Sequence, residues 1–173
     1  GANGFVGRAL VERLRAEGVP VRALVRRATG PGQHGIGDIG ADTDWRDALD
    51  GVGCVVHCAA HVHQTSPSSR SVDDDHHRIN ALGTARLVTE AARSGVRRLV
   101  FVSSVKVMGE SSRPGAPWDI ADEPHPADPY GRSKWAAERA LWDTAARAGL
   151  EGVVVRPPLV YGPGVKANFL SLM

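Results

Sequence analysis

The chain has 173 residues, 42% hydrophobic and 23% charged, the balance of one ordinary globular domain, which argues against a disordered or membrane-embedded chain. Lys and Arg number 21 against 19 Asp and Glu, leaving +2 with no basic run to track a phosphate backbone, so nucleic acid is not expected as a main partner. No apolar stretch approaches the ~18 residues of a membrane span, and the opening GANGFVGRAL shows no charged-then-apolar export signal.

In chain order, residues 5–17 read as a helix: Val6, Leu10, Val11 and Leu14 recur at spacings of three and four, and Gly18 ends the run. Residues 19–25 form a short β-rich run. Residues 27–43 are Gly-rich, hold Pro31 and show little periodicity, which predicts mostly loop. Asp44 is placed to cap a short helix through Leu49. Residues 54–60 (CVVHCAA) read as a buried strand, followed by a polar loop from His61 to Ser71. Cys54 and Cys58 lie ~13 Å apart on such a strand, too far for a disulfide, so they are expected to pack as small apolar residues in a reducing, cytoplasmic setting. Residues 73–94 predict one long helix stopped by Gly95, and residues 98–103 (RLVFVS) another buried strand. Residues 109–129 hold five prolines and predict an irregular surface segment. A helix over 130–148 ends at Gly149; Trp135 and Trp142, seven apart on it, are expected to pack. A strand over 152–155 is broken by Pro157-Pro158, and a further helix is expected from Val165. Apolar strands separated by helices predict a parallel sheet covered on both faces. Both ends look cut, because the chain begins inside a glycine loop and ends inside an apparent helix.

Three features carry chemistry. Gly1, Gly4 and Gly7 give G-x-x-G-x-x-G running into a helix. Such glycines let the backbone approach a pyrophosphate, and the helix N-terminus offers free N–H groups. Alone, the spacing equally suits a turn that caps a helix. Tyr130 and Lys134 lie one turn apart on one helix face. An ammonium beside a phenol favours the phenolate, and moving a tyrosine from about 10 to near 7 requires ~4 kcal/mol. Such a tyrosine can serve as acid and base for an alcohol–ketone interconversion. Ser103-Ser104 closes a strand, where ligands bind in open parallel sheets. Each feature alone has a bland counterpart; their order along the chain is what gives them weight.

With that order, the chain resembles the extended short-chain dehydrogenases/reductases of the NAD-dependent epimerase/dehydratase family over essentially its whole length. The run Gly1, Ala2, Asn3, Gly4, Phe5, Val6, Gly7 resembles the family's cofactor loop without its leading Thr. Asp38 and Ile39 resemble the pair that contacts adenine. Ala59 and Ala60 in VVHCAA resemble the strand end beside the cofactor, and Asn80 in INALGT the helix asparagine. VSSVKVMGE places Ser104 on the catalytic serine, with Met108 where Tyr is usual. YGRSK supplies the catalytic Tyr130 and Lys134. Pro157 in VRPPLVYGPG falls where the backbone passes the nicotinamide. Within the family, the runs SSVKVMGE and RPPLVYGPGVKANF most resemble bacterial UDP-glucose 4-epimerase-like enzymes of polysaccharide biosynthesis.

The resemblance implies a Rossmann-like, doubly wound parallel α/β sheet forming one NAD(P)-binding domain over 1–173, truncated at both ends. The family's first strand would precede Gly1 and its substrate region follow Met173. Without that strand the sheet is expected to show unpaired edges and exposed apolar surface. A nucleotide-activated sugar is the implied substrate, touched by Ser104, Lys106 and Asn168. Tyr130 would move the proton, Ser104 orient the oxygen, and Lys134 hold the nicotinamide ribose and lower the Tyr130 pKa. The 73–94 and 130–148 helices would form a homodimer interface in the full-length protein.

One departure bears on the cofactor. NAD enzymes place an acidic residue at the end of the second strand, whereas this chain has Val25, Arg26 and Arg27. Arginine suits a 2′-phosphate, which favours NADP(H), while two solvated arginines are the plain alternative. The seven histidines, His57, His61 and His63 among them, show no metal-ligand spacing and are expected to be loop residues near a pocket. The alternatives to an epimerase/dehydratase are an NADP-dependent keto-sugar or 3β-hydroxysteroid-type reductase, a cofactor-binding regulator without chemistry, and a non-catalytic fragment.

Overall fold

The computed structural model describes residues 1–62 and 72–165. Asn168, His63 and the helix expected beyond Val165 lie outside them. Among the described residues five strands occur: β1 (Ala23–Val25), β2 (Gln33–Gly35), β3 (Cys54–His57), β4 (Arg98–Val102) and β5 (Glu151–Val155). All three pairings, β1 with β2, β3 with β4 and β4 with β5, are parallel. Helices precede β1 and alternate with the strands from β2 on, while no helix separates β1 from β2: α1 (Phe5–Ala16), α2 (Arg46–Leu49), α3 (Val72–Asp75), α4 (Gly83–Arg93) and α5 (Pro129–Ala148). This is the expected Rossmann-like alternation.

The helix ends follow local chemistry. The α1 helix closes before Gly18, which takes φ +73°, and α5 closes at Gly149 with φ +68°, both conformations that glycine adopts without strain. The α5 helix opens earlier than expected. Asp128 is its N-cap, accepting from the Gly131 N–H, and Pro129 takes the first position, where its missing N–H costs nothing. Asp44 is not the cap of α2 that was expected: Trp45 takes the N-cap position with no side-chain cap, and Asp44, one residue earlier, accepts from the Arg46 N–H at 3.0 Å.

Several expectations are corrected. The strand expected over 54–60 is shorter and not buried: Cys54 is exposed, Cys58 half-buried and only His57 buried. An apolar run reports solubility, not which edge is paired, and here β3 pairs with β4 alone. The two cysteines therefore do not pack as core residues. Val56, Val153 and Val155 are also substantially exposed, so the sheet is not covered on both faces. Only Ala23–Val25 of the 19–25 run pairs, and its partner β2 lies in the segment expected to be loop. The 73–94 helix is interrupted: a π-helical stretch, His76–Leu82, joins α3 to α4.

The core lies between β4 and the helices α4 and α5. Leu99, Phe101, Ala137 and Leu141 are wholly buried there, with Leu87, Val88 and Ala91. The β1–β2 pair forms a separate sheet. Between α1, β1 and β3 lies a cavity of about 730 Å³, lined by Leu10, Leu14, Leu24, Trp45, Val55 and Val56 among others. Among the described residues β1 and β3, which border it, are not paired with each other.

Candidate active site

The glycine loop sits where β1 and β3 end. The Gly1 and Ala2 nitrogens donate to the Leu24 carbonyl at 3.3 and 3.2 Å, fastening the loop to β1. A Cβ on Gly1 would overlap the backbone of Cys58 and Ala59, and one on Gly7 would overlap the Gly1 carbonyl. The loop is therefore folded tightly onto itself and onto the end of β3, beside Ala59 and Ala60. Gly4 is the N-cap of α1, no side chain caps that end, and no acidic residue lies in the first turn. The α1 N–H groups of Phe5, Val6 and Gly7 thus meet no competing carboxylate. This cradle suits the pyrophosphate of a dinucleotide.

The Asp38–Ile39 segment lies against two other motifs. Asp38 pairs with Arg26 at 2.7 Å, both largely exposed. Arg27 follows on the exposed strand end. A Cβ on Gly83 would meet the Ile39 side chain at 2.5 Å, so the glycine of INALGT is where Ile39 rests on the start of α4. Two segments 44 residues apart are brought together by that missing methyl.

Ser104, Tyr130 and Lys134 gather at the carboxyl end of β4. The Ser103 N–H donates to Val155 at 2.8 Å and the Val105 N–H to Pro157 at 3.0 Å, tying this loop to the end of β5. Ser104 then caps a short 3₁₀ turn, Val105–Val107, accepting from the Lys106 N–H at 3.2 Å. Burial, with the Asp128 carboxylate, raises the Tyr130 pKa above its ordinary value, and the neighbouring Ser104 hydroxyl pulls it the other way. Lys134 is 1% exposed, donates from Nζ to the Val102 carbonyl at 2.7 Å and lies 4.1 Å over the Phe101 ring. Burial brings its pKa down to about 7, against the Glu138 and Cys58 charges. The expected lowering of Tyr130 by Lys134 is thus not present in this arrangement, since the ammonium is turned to Val102 and the phenol is desolvated.

Lys106 is held by carboxylates, 2.6 Å from Glu110 and 3.3 Å from Asp128. A Cβ on Gly131 would meet the Lys106 carbonyl at 2.6 Å. The residue after Tyr130 is glycine so that the Ser104 loop can lie against α5. Asn80, 1% exposed, accepts from the His61 N–H at 2.7 Å and donates to the His61 carbonyl at 3.0 Å and to Ser133 Oγ at 3.1 Å. It acts in this structure as a clamp between the end of β3 and α5.

Sequence reasoning missed the layer beneath. Glu138, fully buried, receives Arg156 through two nitrogens, at 2.6 and 3.1 Å, and also the Ser103 hydroxyl. One signal was available: Glu138 follows Lys134 by four residues, hence on the same face. His76 gave no signal, being one histidine of a polar pair. His57 is stacked on Phe101 at 5.6 Å and hydrogen-bonded to Thr84 at 3.0 Å, and burial brings its pKa down to about 3.

The sequence profile of the NAD dependent epimerase/dehydratase family matches residues 1–173. A UDP-glucose 4-epimerase of Vibrio cholerae is 41% identical over all of this chain and 54% of its own length. An N-acetyl-alpha-D-glucosaminyl-diphospho-ditrans,octacis-undecaprenol 4-epimerase of Escherichia coli O157:H7 is 32% identical over all of this chain and 51% of its own length. The solved structure of MoeE5 in complex with UDP-glucose and NAD superposes with a TM-score of 0.80 and 34% identity, covering 99% of this chain and 57% of that one. The chain spans about half the length of the curated relatives it matches.

Proposed function

The chain belongs to the NAD-dependent epimerase/dehydratase family, and on that premise we propose that it is the cofactor-binding domain, residues 1–173, of an enzyme that moves hydride at a carbon of a nucleotide-activated sugar. The observation that carries this proposal is the meeting of Ser104, Tyr130 and Lys134 at the end of β4, with the Ser104 hydroxyl on Tyr130. The relatives named above act on UDP-glucose and on a lipid-linked N-acetylglucosamine, and the solved neighbour binds UDP-glucose and NAD.

A nicotinamide cofactor, when bound, supplies the hydride acceptor and donor. Gly1, Asn3, Gly4, Phe5, Val6 and Gly7 would hold its pyrophosphate, with Ala59 and Ala60 alongside. Asp38, Ile39, Arg26 and Arg27 would meet its adenosine end, and Asn80 and Pro157 would line the nicotinamide end. Tyr130 takes the proton of the sugar hydroxyl as hydride leaves that carbon, and returns it when hydride comes back. Ser104 orients the oxygen. Burial opposes a phenolate at Tyr130 and an ammonium at Lys134 taken singly, yet the two charges together offset one another. That role asks Lys134 to loosen its hold on Val102. Lys106 and Asn168 are assigned to the substrate.

Asp38 ties Arg26, which leaves Arg27 as the guanidinium for a 2′-phosphate, so NADP(H) is the proposed cofactor. A homodimer through α4 and α5 in the longer protein, and a cytoplasmic location, complete the proposal. Among the described residues no helix is long and apolar enough to cross a membrane.

The test is turnover of UDP-glucose and UDP-N-acetylglucosamine with NAD and with NADP, for the parent and for Tyr130→Phe. Loss of the acid/base is expected to cost about 10³-fold in kcat. Unchanged turnover in Tyr130→Phe would sink the assignment, and stoichiometric consumption of reduced cofactor would identify a reductase instead of an epimerase.

A further inference from the structure

The π-helical stretch between α3 and α4 buries one side chain that the proposed chemistry does not use. His76 is 1% exposed and opens that stretch. Its ring meets Tyr130 edge-on, with centroids 5.7 Å apart, and on another side meets His61, edge-on at 5.1 Å. The Asn80 amide nitrogen stands 3.4 Å from His76 Nδ1. Asn80 also donates to Ser133, and Ser133 Oγ donates to the Tyr130 carbonyl at 2.7 Å. The backbone of Tyr130 and its ring are therefore held by one connected set of groups. π-Helical turns insert an extra residue and frequently stand at functional sites, and this one puts His76 and Asn80 on the same side, four residues apart.

We propose that His76 is a positioning residue for Tyr130, its flat ring fixing the direction in which the phenol presents its oxygen to the substrate. This rests on the reading of Tyr130 as acid and base. The ring matters more than the nitrogen, because Asn80 keeps its bonds to His61 and Ser133 without it. An aliphatic side chain of similar size fills the same space but gives the phenol no edge to rest on. An edge-on aromatic pair stabilises its geometry beyond simple area burial, which sets the expected effect at about fivefold.

The experiment compares His76→Phe with His76→Leu in the full-length protein, each first confirmed as folded by near-ultraviolet circular dichroism. Phe is expected to keep kcat within about twofold of the parent, and Leu to lower kcat about fivefold with KM for sugar and cofactor unchanged. A purely structural role would move the two variants alike. The second readout does not need catalysis. Phenolate absorbance is read as the difference between each protein and its Tyr130→Phe counterpart, which isolates Tyr130 from every other tyrosine of the full-length protein. The Tyr130 titration is expected to shift in His76→Leu and to stay at the parent position in His76→Phe. Equal kcat and equal titration in Phe and Leu overturn the proposal. If Tyr130→Phe keeps full turnover, the acid/base reading has failed, yet the titration still decides whether His76 fixes the phenol.

Discussion

The two sheets of this chain are both parallel, but they are packed differently. Around β4 and α5 the interior is closed: Leu99, Phe101, Ala137 and Leu141 are wholly buried, and the Glu138 carboxylate beneath them is met by Arg156 and Ser103. Around β1 and α1 the interior is open. Leu14 and Leu24 face a cavity of about 730 Å³, and the buried Trp45 indole nitrogen, which borders it, has no hydrogen-bond partner among the described residues. An apolar lining without partner atoms forfeits dispersion contacts, and an unpaired buried donor costs free energy. The groups proposed to do chemistry stand on the closed side, where their geometry can be held. The groups proposed to hold the cofactor's phosphates and adenosine stand on the open side.

Three measurements break or sharpen that contrast. Glu138→Ala leaves the Arg156 guanidinium, 24% exposed, without its carboxylate, and is expected to lower unfolding stability by about 3–5 kcal/mol. Urea unfolding reads it, and Glu138→Ala with Arg156→Met is expected to recover part of the loss. A loss under about 1 kcal/mol would mean that the closed side is not built around this pair. Next comes a matched pair of truncations. Leu141→Ala, in the closed core, is expected to cost about 3 kcal/mol, and Leu14→Ala, beside the cavity, about 1 kcal/mol. Equal costs would erase the distinction.

The third measurement is a pH dependence. His57 is buried with its pKa brought from 6.5 down to about 3, so between those values the unfolded chain binds a proton that the native state refuses. Stability then rises with pH across that window and falls on acidification, by about 2 kcal/mol between pH 6.5 and pH 5. Urea midpoints at those two values check it. A His57→Gln variant is expected to flatten the slope, and an undiminished slope would place its origin elsewhere. Lys134 acts in the same sense at higher pH. With its pKa lowered from 10.5 to about 7, the charged form is costly to bury, and stability rises with pH between those values.

Much of the candidate site was legible in the residues. Gly1, Gly4 and Gly7 are spaced for a tight loop, and the structure folds them against Ala59. Ser104 at a strand end and Tyr130 at a helix start were read from apolar runs and a helix stop, and the structure brings their hydroxyls together. What was not legible is instructive. The His61–His76–Tyr130 contacts span 69 positions and depend on a π-helical turn that no periodicity announces. Lys134 was read as a partner for Tyr130 because four residues make one helical turn. Spacing gives the shared face but not the rotamer, and the ammonium points to Val102.

By itself, then, the sequence determined the alternation of elements, the glycine stops at Gly18 and Gly149 and the order of the motifs. These depend on each residue's own backbone preferences and on neighbours three or four places away. Only the tertiary structure decided that β3 shows Cys54 to solvent, that Gln33–Gly35 is a strand, that Ile39 rests on Gly83, and that Glu138 and His76 support the proposed catalytic groups. Each of those is set by which distant segment arrives alongside. Burial, pairing and charge compensation belong to the contact, not to either residue alone.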